Sequence, residues 1–536
     1  MTSQAFTVVF AAALAASIGV RLWLAVRQVA FVRANRESVP AAFASRIGIA
    51  AHRKAADYTV AKQRLSMLHV VVDALLLVAM TFGGGLAWIV GWTETLDIGA
   101  LWRDVALFAV AGVIYGVVNL PFSWWHTFRI EERFGFNRMT LALWLSDLAK
   151  GLAVAIALGL PLLVLVLWLM RAAGTYWWLW TWGAWMAFQL LVLVLYPTVI
   201  APIFNKFTPM EDNAARERVE SLLARCGFRS AGLFVMDGSK RSGHGNAYFT
   251  GFGKAKRIVF FDTLLLRLAP EEIEAVLAHE LGHFKLRHVV KRIAWSAILS
   301  LAILALLAWL AQAPWFYAGL GIPEAMLPIA MSRPGVALEL FLLVLPVFTF
   351  MLEPLSSQYS RRHEFEADAF AARHASAAAL SVALVKLYED NAATLTPDPL
   401  HSAFYDSHPP ASARIARIEA LIARVPLPVR GVKNGLIRMV IAVLATAAGA
   451  QQPAPFSHGN AKTGKTLAER DCVACHEQKF KPASAIYTRT ERRVTSASQL
   501  LTQVQVCNTE LRAGYFPEDE ENVAAFLNDT YYKFKP

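Results

Sequence analysis

Two histidines four residues apart, with a glutamate beside the first, make His279-Glu280-Leu281-Gly282-His283 the stretch best equipped for chemistry. The surrounding run from Pro270 to Phe284 has no proline after its first residue. Ile273, Val276, Leu277, Leu281 and Phe284 recur in it at a helical apolar period. On a helix, residues four apart share a face, so both imidazoles can reach one metal ion. Glu280 stands where it can polarise a metal-bound water. The implied chemistry is amide hydrolysis: zinc lowers the pKa of its water, the glutamate takes the proton, and the metal polarises the carbonyl oxygen. A catalytic zinc takes three protein groups and a water, so a third ligand is required. The run Arg361 to Phe370 offers His363, Glu364, Glu366 and Asp368. Glu364 and Asp368 are four apart on a helix, so one can ligate while the other supports a ligating histidine. Glu366 points elsewhere on that helix. His363 is a ligand by chemistry as well, and spacing alone does not choose.

The elements that must position these groups lie in a membrane. The chain is 56% hydrophobic and only 17% charged, too apolar for a soluble protein of 536 residues. Its sixteen tryptophans suit interfacial anchoring. Seven apolar stretches, at about 5–26, 67–92, 102–121, 151–171, 177–200, 293–312 and 335–353, are long enough to span a bilayer. The first carries Arg21 and no cleavage site, so it reads as an uncleaved span. The loop after it holds Arg27, Arg33, Arg36, Arg46, Arg53, Lys54, Lys62 and Arg64 against Glu37 and Asp57, which places it in the cytoplasm. Alternation then puts 122–150, 201–292 and the chain after 354 inside, and every basic segment falls on one side. The net charge of +12 is therefore the charge of basic cytoplasmic loops, and no nucleic-acid partner is expected. Many spans also suit a transporter, but Asp73 and Glu339 fall in no internal repeat of the kind that fold requires.

Segment 201–292 is soluble in character. Glu211 to Cys226 reads as a helix; Gly232 to Asp237, Asn246 to Thr250 and Arg257 to Asp262 read as short strands between glycine-rich turns. A sheet beside the metal helix has a use, because an edge strand pairs with an extended peptide and holds it over the metal. Asn246 to Thr250 is the candidate edge.

With these residues in view, the chain resembles the type I CAAX prenyl protease family of integral-membrane zinc endopeptidases. The resemblance rests on Glu131-Glu-Arg-Phe-Gly-Phe-Asn137, Tyr196-Pro197 with Pro202-Ile-Phe-Asn-Lys-Phe-Thr208, Asn246-Ala-Tyr-Phe-Thr-Gly251, His279-Glu-Leu-Gly-His283, Glu364-Phe-Glu-Ala-Asp368 and Ser407-His-Pro-Pro410. These occur in family order over about residues 1–425. The resemblance implies a mainly α fold: a seven-transmembrane-helix barrel around a chamber, with a membrane-embedded zinc metalloprotease domain that carries a small β-sheet. It implies His279, His283 and Glu364 as zinc ligands, Glu280 as general base and Asp368 as their support. Asn246 falls on the substrate-pairing strand, and His408 falls where an imidazole stabilises the oxyanion. His288 also fits the family pattern, without a chemical role to assign. Peptide or membrane-protein substrates and membrane lipid are the implied partners. General endopeptidase work on membrane-associated or misfolded peptides is the expected activity.

After about 425 the character changes. Arg430, Lys433 and Arg438 precede the apolar run Met439 to Ala448, then Gly449-Ala450. A basic flank, a short apolar core and small residues form a secretory-signal pattern, too short for a stable span. Cys472-Val-Ala-Cys475-His476 follows, the C-x-x-C-H attachment motif for c-type haem. The thiols of Cys472 and Cys475 would bond the haem vinyls, and His476 would ligate the iron. A dithiol redox pair is the main rival. The tail resembles a small all-α class I cytochrome c, with a helix before the motif (463–471) and one at the end (518–530). It departs from that pattern because no methionine follows Met439, so His458, a lysine, a tyrosine or nothing fills the sixth iron position. Haem attachment belongs to an oxidising compartment.

The expected organisation is transmembrane helices one to five over 1–200, the metalloprotease domain over 201–425, a linker and signal-like segment over 426–450, and a haem domain over 451–536. That places the chain in a bacterial inner membrane, with the protease facing the cytoplasm and an electron-transfer module, with its redox partner, in the periplasm. The alternative is a haem electron carrier anchored by a catalytically inactive protease-like part.

Overall fold

Among the described residues, seven helices are long and apolar enough to cross a membrane, and their apolar side chains face outward where lipid would lie. Val8, Val113, Leu152 and Ile298 are each more than half exposed. The computed structural model describes residues 1–228, 232–250, 257–422, 459–473, 476–477, 482–488, 494–511 and 517–534. The signal-like segment 426–450, His458 and Cys475 lie outside the described residues. The described residues form two compact units, Met1–Pro428 and Val429–Pro536.

In the first unit the spans are α1 (Ser3–Ala34), α2 (Ile49–Met80), α4 (Ala100–Trp125), α5 (Leu141–Ala172) and α6 (Trp177–Leu195), with a short α3 (Gly85–Glu94) between the second and third. The second span departs from the sequence expectation of 67–92. It begins at Ile49 and stops at Met80, because Gly83-Gly84-Gly85 turns the chain there. A Cβ at Gly83 would lie 2.7 Å from the Ala79 carbonyl oxygen, and Gly84 has φ 73°. Hydropathy cannot see this turn, since the residues on both sides are apolar. Helices of 32 residues are roughly 48 Å long against a hydrocarbon core of about 30 Å, so polar turns extend past the membrane.

At one end of the spans, Arg333 joins three segments. Its Nε donates to Asp104 (2.8 Å) and its Nη1 to Glu94 (3.0 Å) and Thr93 (2.8 Å). Asp104 also accepts from Arg171 and from the backbone N–H of Gly335. The buried guanidinium thus meets two carboxylates through Nε and Nη1, while its Nη2 is buried without a hydrogen-bond partner.

The polar side carries the protease elements. Helix α7 (Ala214–Arg225) starts at Asn213, whose side chain accepts from the N–H groups of Ala215 and Arg216. A four-stranded sheet follows: β1 (Phe207–Pro209), β2 (Leu233–Met236), β3 (Ala247–Thr250) and β4 (Arg257–Phe261), in the order β1-β2-β4-β3. The three expected strands are present, and β3 is an edge, antiparallel to β4 with Ala247 opposite Phe260. Strand β1 was not foreseen; three residues ending in proline carry no alternation to read. Then come α8 (Pro270–Lys285), α9 (His288–Leu310), α10 (Pro334–Thr349), α11 (Glu353–His374), α12 (Ala377–Asp390), α13 (Pro399–Tyr405) and α14 (Ala411–Ile422). The apolar α10 runs through one tight turn into the polar α11, so the seventh span leads directly into the Glu364 segment. One core lies among the spans, and another joins the sheet to α7, α8 and α12.

In the second unit, α15 (Ala461–Leu467), α16 (Ala497–Leu511) and α17 (Pro517–Leu527) share an apolar core with Tyr487, Leu500, Val504 and Val523. Helices α15 and α17 touch backbone to backbone: a Cβ at Gly464 would fall 1.8 Å from the Asn522 carbonyl oxygen. Both lie where the sequence placed the first and last helices of the tail.

Candidate active site

Helix α8 is built to start firmly and bury one face. Pro270 is its first residue, and Glu272 reaches back to accept from the Ala269 N–H at 2.8 Å. Ile273, Val276, Leu277 and Leu281 are buried in the core under the sheet. That packing sets the helix rotation and turns His279 and His283 towards α11. The two helices cross closely at Gly282, where a Cβ would lie 3.0 Å from Ala367 Cα and 3.1 Å from Phe370 Cβ.

The crossing brings Glu364 to both histidines. Nε2 of His279 and Nε2 of His283 are 3.2 Å apart, and each is 3.4 Å from a Glu364 oxygen. Glu364 Oε2 is buried without a hydrogen-bond partner. Three atoms of a tetrahedral zinc shell stand about 3.3 Å apart when each is about 2.05 Å from the ion. The two imidazole nitrogens stand at that spacing, each faces a different oxygen of the Glu364 carboxylate, and one ligand atom from each of the three residues lies within 4.8 Å of the others, so the cluster fits zinc and the orphaned oxygen is an acceptor such an ion would satisfy. Of the four candidates for third ligand, Glu364 is the one aimed between the imidazoles.

Asp368 lies behind His279, accepting from its Nδ1 at 2.9 Å. This leaves Nε2 as the nitrogen that faces His283 and Glu364. Arg414, on α14, clamps the same carboxylate with Nε (2.9 Å) and Nη2 (2.6 Å). Burial disfavours charge on both histidines. For His283 little opposes it, and the pKa falls to about 3; for His279 the Asp368 and Glu364 carboxylates outweigh it, and the pKa rises to about 9. The proton those carboxylates hold on His279 marks where a cation is favoured. Burial also raises the pKa of Glu280, which makes its carboxylate a stronger base.

His408 is largely exposed, with Nε2 at 3.4 Å from Glu364 Oε2 and Ser407 Oγ at 3.1 Å from Nδ1. Its neighbours also line a cavity of about 400 Å³ that includes Gln28, Tyr388, His401, Tyr405 and Pro409. Asn246 is exposed just before β3, its side-chain oxygen accepting from the Ala247 N–H at 2.8 Å. His363 does not face the triangle; it stacks on His288 with ring centroids 4.0 Å apart. The sequence reading did not single out Arg414, although it falls on the apolar face of α14 with Ala411, Ile415 and Ile418. A lone arginine in a buried period was the available signal.

Seven membrane helices and a buried histidine–histidine–glutamate triangle beside a small sheet define the class: a multi-pass membrane metallopeptidase. Known proteins agree. The family described as "CAAX prenyl protease N-terminal, five membrane helices" matches residues 28–206, and "Peptidase family M48" matches residues 209–422. The CAAX prenyl protease 1 homolog of Oryza sativa is 32% identical, covering 68% of this chain and 85% of its own length. CAAX prenyl protease 1 of Saccharomyces cerevisiae is 36% identical, over 56% of this chain and 69% of its own. The crystal structure of S. mikatae Ste24p superposes with a TM-score of 0.71 at 29% identity, over 77% of this chain and 99% of that one. The chain belongs to the CAAX prenyl protease family of M48 peptidases, and it is a zinc metalloendopeptidase of the membrane.

Proposed function

We propose that His279, His283 and Glu364 hold the zinc of this peptidase, that Glu280 is its general base, and that an extended substrate pairs with the free edge of β3. The observation that carries the reading is the convergence of ligand atoms: the His279 and His283 Nε2 atoms are 3.2 Å apart, and each is 3.4 Å from a different oxygen of Glu364. Bound zinc supplies a Lewis acid and a water of lowered pKa. Glu280 takes the proton of the attacking water and returns it to the leaving amine. Asp368, held by Arg414, keeps the His279 proton on Nδ1. Ser407 Oγ lies 3.1 Å from His408 Nδ1; by donating there it would keep the imidazole proton on Nε2, where it can meet the developing oxyanion. Strand β3 and Asn246 fix the peptide backbone in register. The complete ligand set argues against a merely anchoring, inactive protease part.

The substrates proposed are membrane-associated or misfolded peptides, reached through a chamber among the seven helices. The basic loops support a cytoplasmic side for the site. The relatives named above are eukaryotic, so a bacterial inner membrane rests on the tail alone. For the tail, the proposal is a c-type haem on Cys472, Cys475 and His476, exported behind the 426–450 segment and serving a periplasmic redox partner. His476 Nδ1 lies 2.7 Å from the Tyr487 hydroxyl, which leaves Nε2 as the ligating nitrogen. Purified full-length chain tests the protease reading. It should contain one zinc, lose cleavage to a chelator, and cut unmodified membrane peptides. Cleavage confined to farnesylated peptides would narrow the substrate to prenylated termini, and absence of zinc would overturn the ligand assignment.

A further inference from the structure

The two zinc-site histidines are supported differently. His279 hands its Nδ1 proton straight to a carboxylate. His283 has a second imidazole behind it: its Nδ1 is 3.0 Å from Nδ1 of His288. His288 Nε2 is in turn 3.0 Å from Oε2 of Glu366, whose Oε1 accepts from Arg362 at 3.0 Å. The backbone makes this possible. Arg287, at φ 57°, caps the start of α9 two residues after α8 ends, which turns His288 back towards His283. On α11, Glu364 and Glu366 are two residues apart and so about 200° apart around the axis. One faces the triangle while the other faces His288.

We infer that His288 and Glu366 are a positioning pair that fixes the tautomer of His283 for zinc. The inference rests on the ligand set proposed above. Each neutral imidazole carries one N–H. For His283 to offer Nε2 to a metal, its proton must sit on Nδ1. The facing Nδ1 of His288 must then be the acceptor, which puts the His288 proton on Nε2. That proton needs an acceptor, and the Glu366 carboxylate supplies it. Reversing any link protonates His283 Nε2 and closes the site. The carboxylate therefore selects, two imidazoles away, which nitrogen meets the ion.

The same cluster could be read as a second metal site, because His288, His363 and Glu366 approach one another. Geometry and proton count oppose that. The His288 and His363 rings are stacked at 4.0 Å with planes 12° apart, so their in-plane lone pairs cannot converge on one ion. His288 Nε2 is also committed as a donor. His363 instead holds the His288 ring in place, and His288 is 1% exposed.

The test uses full-length protein in detergent, with zinc affinity measured by chelator competition and thermal unfolding measured in excess chelator. H288L removes the acceptor and should weaken zinc binding roughly 10–100-fold. H288Q keeps an acceptor for His283 and a donor for Glu366, and should recover most of that loss. E366L, at a partly exposed site that tolerates change, should weaken zinc in the same direction, whereas E366Q, whose carbonyl still accepts, should not. Wild-type affinity in H288L, or equal weakening in H288L and H288Q, would overturn the inference and leave packing as the role. If wild-type protein binds no zinc, the ligand assignment itself fails, a distinct result.

Discussion

Gly282→Ala should loosen the metal site without loosening the fold. Gly282 lies beside His283, and its missing Cβ faces Ala367 Cα at 3.0 Å and Phe370 Cβ at 3.1 Å. Carbon atoms rest about 3.5–4.0 Å apart, so an added methyl pushes α11 from α8 by roughly 0.5–1 Å. Ala367 stands between Glu364 and Asp368, and both carboxylates move with it. Edges of 3.4 Å between Glu364 and the histidines would grow to about 4 Å, while metal–ligand bonds tolerate about 0.2 Å. Zinc affinity should fall at least roughly 10–100-fold, the range seen when the groups supporting a ligand are lost. Alanine is also the better helix former by about 1 kcal/mol, which offsets much of the strained contact. Thermal unfolding in excess chelator should thus stay close to wild type. Chelator competition and that melt, taken together, decide it. Unchanged zinc affinity would refute the view that the close crossing sets the ligand triangle.

Three further outcomes are expected. Glu280→Gln should lower kcat by roughly 10²–10⁴-fold with zinc content unchanged; activity within tenfold of wild type on a peptide assay would remove Glu280 as the base. Asp398 is buried, and although burial pushes its carboxyl up, Arg27 (2.8 Å) and the backbone N–H groups of His401 and Leu400 hold it below its ordinary value. A lowered carboxyl pKa stabilises the fold above the unfolded value of about 3.9, and that stabilisation is lost as pH falls through the folded value. Asp398→Asn keeps an oxygen for the two backbone N–H groups but loses the charge they and Arg27 meet, and with Arg27 42% exposed it should cost about 1 kcal/mol at pH 7, a gap between variant and wild-type melts that should shrink near pH 3. Haem staining of an SDS gel should mark either the full 59.1 kDa chain or a shorter soluble fragment, and Cys472→Ala should reduce the stain; no stain on wild type would remove the haem reading.

What the sequence revealed and what it hid follow from the range of each signal. The His279–His283 pair was legible because a helix converts a spacing of four into one face. The choice of Glu364 over His363 was not, because it depends on how two helices cross at Gly282, 82 positions before Glu364. Seven spans could be counted from hydropathy, yet the second was misplaced, since an apolar glycine turn and an apolar helix look alike to a window average. Edge strand β3 could be read from its turns, while β1 is too short to alternate. Arg414, and the pairing of Glu366 with His288, escaped because each acts through a partner far along the chain.

Helix α8 passes into the sixth span after two residues, and the seventh span passes into α11. On the proposed ligand set, two zinc donors are therefore synthesised before a membrane hairpin and the third after it. A ribosome that has delivered His279 and His283 has not yet made an active peptidase. The set closes only when both strokes of the hairpin have crossed the bilayer and returned. On that ligand set, a chain whose hairpin is missing holds two zinc donors and lacks the third.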